Sequence, residues 1–165
     1  MRPALGVLGA VAAAVVATIV LGHAWPDGAG AIDFFLMVVV YYAITRPRLN
    51  GIWMGAVCGL IQDALGSHYL GYQAFVKTGV AYLVGGLGSK FILNQPFPQF
   101  LALLLATVLD AVLASVLSAM VGLPAPYGPA HLAKAVLLNP VLGLMVFRLV
   151  GRRHPAGGSA HNRAR

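Results

Sequence analysis

Residues 51–71 read GIWMGAVCGLIQDALGSHYLG, an apolar stretch with glycines at 51, 55 and 59 and an aspartate at 63. On a helix, positions four apart drift by only about 40°. Gly51, Gly55 and Gly59 therefore form one inclined ridge, and Asp63 comes next on it. A ridge without side chains lets another helix approach closely, which is the packing route where no hydrophobic force acts between helices. The spacing predicts a helix-packing element that ends in a carboxylate. It leaves open whether the ridge packs within the chain or onto another protein.

The rest of the chain shows what medium surrounds that helix. Of 165 residues, 59% are hydrophobic and only 9% charged, and the mean hydropathy is +0.84. A soluble domain carries about 25% charged residues to solvate its surface. The deficit, with several apolar runs near the ~18-residue spanning length, predicts an all-α polytopic membrane protein. Eleven Lys and Arg stand against four acids, all aspartate. The basic residues cluster between and after apolar runs, as in membrane proteins, and no basic surface interleaved with aromatics suggests nucleic acid. The lone Cys58 lies within an apolar run, which excludes an intrachain disulfide.

Apolar runs extend over residues 4–21, 32–45, 51–65, 72–87, 97–121 and 132–150, separated by Gly- and Pro-rich breaks. About six transmembrane helices are expected. Five is the alternative, if the first run is a signal peptide cleaved near Ala24. The second and third runs measure about 21 to 23 Å against a core of about 30 Å, so they either extend into flanking residues or form a re-entrant hairpin. With a cytoplasmic N-terminus, nine of the eleven basic residues fall on the inner side: Arg2, Arg46, Arg48, Lys90, Arg148, Arg152, Arg153, Arg163 and Arg165. The loops 22–31, 66–71 and 122–131 contain no Lys or Arg, and Asp27 falls outside. This segregation predicts cytoplasmic N- and C-termini. Residues 1–150 form one integral-membrane helical domain, and 151–165 a basic, disordered cytoplasmic tail with some attraction to anionic lipid headgroups.

Four ionisable residues within the expected spans are candidates for pairing: Asp63, Lys77, Asp110 and Lys134. Counted at ~1.5 Å per residue, the first three share a level in the outer half of the membrane, and Lys134 lies near enough to the outer surface to snorkel. An unpaired charge at the bilayer centre costs about 3 kcal/mol on insertion scales. The expected arrangement is an interhelical ion-pair network of these four residues, tying the third to sixth helices together. A proton- or solute-handling site and a contact surface for a partner's membrane helix are the alternatives.

Catalytic signatures are missing. An intramembrane aspartyl protease resembling the known family needs Gly-x-Gly-Asp, but Leu60-Ile61-Gln62 precede Asp63 and Thr107-Val108-Leu109 precede Asp110. Ser67 and His68 adjoin without a nucleophile-elbow pattern. Gly85-Gly86-Leu87-Gly88 follows a membrane helix rather than a strand, so it is no phosphate cradle. No His pair has zinc-ligand spacing. The residues predict no enzyme, no metal and no cofactor.

The segment GIWMGAVCGLIQDALGSHYLGYQAFVKTGVAYLVG, from Gly51, resembles the signature region of the rod-shape-determining membrane protein MreD family. The matching positions are Gly59 and Asp63 on the Gly-rich helix, then Gly71 and Ala74 at the start of the next. Length and hydropathy agree over the whole chain, sequence detail over about residues 51–90. The resemblance implies a non-enzymatic subunit of the bacterial cell-elongation complex (the elongasome) in the cytoplasmic, or inner, membrane. There it supports peptidoglycan synthesis and cell shape. Implied partners are a bitopic MreC-type scaffold and, through it, the actin-like MreB filament, a RodA-type glycosyltransferase and a class B penicillin-binding protein. It also implies a fold similar to the S-components of energy-coupling-factor transporters. A vitamin-binding S-component is therefore the alternative function, with Asp63, Tyr69, Tyr72 and Lys77 available to line an outer pocket.

Overall fold

The computed structural model describes residues 2–25, 30–66, 69–88, 95–124 and 126–153. Its order is helical throughout: α1 Arg2–Ala24, α2 Phe34–Thr45, α3 Arg48–Gly66, α4 Tyr72–Gly88, α5 Pro96–Val121 and α6 Pro129–Arg153. Asp27, Ser67, His68, Lys90 and the tail from 154 lie outside the described residues.

Local chemistry sets the helix ends. Asp33 caps α2 by accepting a hydrogen bond from the Leu36 amide at 2.9 Å, which satisfies one of the free N–H groups of the first turn. Pro47 forces the residue before it out of helical geometry, and Arg46 is extended at φ −126°. The helix then restarts at Arg48, so the third run extends into flanking residues as one continuous helix of 19 residues, about 28 Å long. Helix α5 opens with Pro96 and closes on Gly122, whose φ of 73° is left-handed, with the Leu123 amide 2.8 Å from the Ser118 carbonyl. That six-to-one hydrogen bond is a Schellman ending.

The short α2 is the hub. It packs against all five other helices. Buried helices need no polar face, and FFLMVVVYYAIT has no charged residue to offer. One side of α2, with Leu36, Met37 and Val40, meets Val80 and Val84 of α4, Leu103 and Ala106 of α5, and Phe147 of α6. The other, with Phe35, Val39 and Ala43, meets Val11 and Ala14 of α1, Met54 and Cys58 of α3, and Ala81 of α4.

Among the described residues, three segments are long and apolar enough to cross a membrane, Gly6–Ala24, Pro96–Val121 and Pro129–Leu149, and α2 is a shorter apolar helix. Their outward faces are apolar: Leu8, Val16 and Val20 of α1 and Val112, Val116 and Met120 of α5 are all exposed. Such a surface is stable only against lipid or another membrane protein.

Candidate functional site

The glycine ridge packs inside the chain. A Cβ at Gly51 would lie 2.8 Å from the Ala43 Cα of α2, and one at Gly55 would lie 2.6 Å from the Lys77 carbonyl of α4. At Gly59 it would overlap the backbone of Ala74. The ridge is thus the seam along which α3 meets α4 and, at its first turn, α2. By contrast, a Cβ at Gly6 or Gly9 of α1 would meet nothing within 4 Å.

Asp63, at the end of the ridge, does not pair with Lys77. Its carboxylate accepts three backbone hydrogen bonds, from the amides of Gly71 (2.8 Å), Gln73 (2.9 Å) and Ala74 (3.3 Å). The first N–H groups of α4 have no partner within their own helix, and the positive end of the helix dipole lies there. A carboxylate reaching across from α3 supplies both hydrogen bonds and charge. Gly71 makes the turn possible with φ 96°, a left-handed conformation that other residues rarely adopt. Gly59, Asp63, Gly71 and Ala74 therefore meet at one joint that fixes the α3–α4 hairpin.

Lys77 finds its partners elsewhere. Its side chain is fully buried, with Nζ 2.6 Å from Asp33 Oδ2 and 3.2 Å from Asp110 Oδ1. Asp33 also accepts from Gln62 Nε2 at 3.4 Å, and its own amide donates to Asn139 Oδ1 at 3.0 Å. Residues on α2, α3, α4, α5 and α6 thus converge on one polar cluster, with Asp33 at its centre. Lys134 is not part of it. Asn139 and Ala135, four apart on α6, are buried and share the inward face, while Lys134 is one position off and exposed.

The expected network of Asp63, Lys77, Asp110 and Lys134 is corrected in two members. Asp63 is occupied by backbone amides, and Asp33 takes the place assigned to it. Asp33 lies at the start of the second apolar run, beside a loop rich in breakers, where run length alone does not mark it as a membrane-embedded charge. The signal that marks it is an aspartate immediately before the helical apolar residues from Phe34, an N-cap pattern. A side chain that caps one helix with Oδ1 still has Oδ2 free for the neighbouring helix.

Above the cluster lies a cavity of about 560 Å³ bounded by residues 30–33, by Tyr69 and Tyr72, and by Leu123, Pro124, Pro126 and Tyr127. Asp33, Gln62, Gln73 and Asp110 line its polar part, with Tyr72 and Tyr127 beside them. The Tyr72 hydroxyl donates to the Ala114 carbonyl at 2.6 Å and lies 2.8 Å from Ser118 Oγ. The Tyr127 ring stacks on His131 with centroids 4.9 Å apart. Burial and the Asp110 carboxylate push the Tyr127 phenol well above its ordinary range. Gln62 Oε1 and Gln73 Oε1 are buried and accept no hydrogen bond among the described residues.

Among the described residues, no group of three His, Cys, Asp or Glu side chains has a metal-binding arrangement.

The family model described as rod shape-determining protein MreD matches residues 6–150. No curated protein and no solved structure matches the chain.

Proposed function

The chain belongs to the MreD family of rod shape-determining proteins, and on that premise we propose that it is a non-enzymatic, multi-pass subunit of the cell-elongation complex in the inner membrane. It supports peptidoglycan synthesis by binding partner membrane proteins. Those partners are an MreC-type scaffold and, through it, the MreB filament, a RodA-type glycosyltransferase and a class B penicillin-binding protein. The termini face the cytoplasm, residues 1–150 are the membrane domain, and the basic tail meets anionic headgroups.

The family match over nearly the whole chain carries this reading. Two structural features support it. The ion cluster and the Asp63 joint hold α2 to α6 in a fixed frame, as a scaffold subunit requires. The apolar outer faces of α1 and α5 remain available to membrane partners. We assign the scaffold contact to the outer ends of α3 to α6 and their connecting loops.

Depletion should convert rods to spheres, with rescue by the intact gene. A photocrosslinking residue at Tyr69, exposed beside α4, should capture the scaffold protein, and one at Leu149, exposed near the far end of α6, should not. Retention of rod shape on depletion overturns the role. Absence of scaffold crosslinks from both Tyr69 and Gly128 overturns the assigned contact.

A further inference from the structure

The wall of the 560 Å³ cavity is acidic, although the cluster beneath it contains a lysine. Asp33 and Asp110 both line the cavity, whereas Lys77 lies behind them, fully buried and outside the lining. Among the described residues the lining includes no lysine or arginine. Two carboxyl groups share one ammonium there, in a region where water screens little, so a further cation would find acceptor oxygens to meet it. The unused hydrogen-bonding capacity has the same polarity. The free atoms, Gln62 Oε1 and Gln73 Oε1, are both acceptors, and a buried acceptor without a donor is unfavourable until one arrives. Gln62 is oriented with its amide nitrogen toward Asp33, so its oxygen is the atom left over.

The remaining wall narrows the ligand class. Tyr69, Tyr72 and Tyr127 line the cavity, and tyrosine rings are a recurrent lining for organic cations. Leu36, Ala111 and Leu132 add apolar surface. The volume falls within the range of small-molecule sites, about 300–1,000 Å³, far more than a bare ion fills.

We infer that this cavity binds a small organic cation: an ammonium or guanidinium group on an apolar body, with the cation toward Asp33, Asp110 and the two glutamine oxygens. The same chemistry is available from a soluble amine and from the ammonium headgroup of phosphatidylethanolamine. The inference is independent of the partner reading, and its test needs no partner protein.

The full chain is purified into nanodiscs of phosphatidylglycerol alone, and binding of 2-phenylethylamine and 2-phenylethanol is compared by ligand-observed NMR. The amine is expected to bind at least tenfold more tightly than the alcohol, which has the same shape without the charge. Asp33→Asn should abolish the preference. Because that change also disturbs the ion cluster, Gln73→Leu serves as the second variant. It touches no ion pair and should weaken the amine at least threefold while leaving the alcohol unchanged. Repeating the titration in discs containing phosphatidylethanolamine separates the sources. Weaker amine binding there identifies the lipid headgroup as an occupant, and unchanged binding identifies a soluble amine. Equal affinity for amine and alcohol, no saturable amine binding in phosphatidylglycerol discs, or an unaltered Gln73→Leu variant overturns the inference.

Discussion

The Lys77 ammonium lies 2.6 Å from the Asp33 carboxylate, 44 positions earlier in the chain, and its second partner is Asp110 at 3.2 Å. Such a pair closes the bundle because each member is costly alone. Removing one ion of a buried pair leaves an uncompensated charge, worth about 3–5 kcal/mol. Lys77→Met should therefore destabilise strongly, since it leaves two carboxylates facing each other. In a double-mutant cycle with Asp33→Asn, unfolding in a fixed detergent should show a coupling of about 0.5–3 kcal/mol. Additive single effects would contradict the pairing.

Asp63 acts as a cap supplied by a different helix. Asp63→Ala removes the acceptor for three amides and should cost about 2 kcal/mol, the upper end for a lost cap. Asp63→Asn keeps one oxygen and should cost less. Hydrogen exchange supplies the local readout: the amides of Gly71, Gln73 and Ala74 should exchange faster in the alanine variant, with α6 unaffected.

The glycines fall into two classes. Gly59→Ala places a methyl group in the Ala74 backbone, and Gly55→Ala places one against the Lys77 carbonyl. Each should separate α3 from α4 at a cost of about 1–3 kcal/mol, as overpacking does. Gly9→Ala meets nothing and should be neutral or stabilising by up to about 1 kcal/mol. Thermal unfolding of the three variants side by side tests the ranking. A destabilised Gly9→Ala chain in the absence of partners would contradict the open face of α1.

Tyr127 gives a pH signature. Its phenol is raised above the ordinary value of 10.0 by burial and by Asp110. Above that value the unfolded chain releases a proton that the folded chain retains. Stability is thus unaffected by this group below about pH 10 and falls as pH rises further. Phenolate absorbance should include a late titration step that Tyr127→Phe diminishes.

The fold was legible in the sequence where the cause is local or one-dimensional. Run length, missing charge and breaker residues specify the six helices, four of them apolar among the described residues, because each backbone polar group in lipid must be satisfied within its own helix. Four-residue spacing specified the Gly51–Gly55–Gly59 ridge. The candidate site was only partly legible. Depth along each helix was correct enough to bring Lys77 and Asp110 to one level, but depth carries no azimuth.

The sequence by itself therefore determined that this chain is a helical membrane protein with a small-residue ridge and charges to neutralise. Only the tertiary structure decided which charge meets which. Asp63 turns toward the free amides of α4, Asp33 turns from its own cap toward Lys77, and Lys134 faces outward beside an inward Asn139. The reason is geometric. A residue's rise along its helix is fixed by its number, but the side it presents to its neighbours is fixed by how five helices pack around α2.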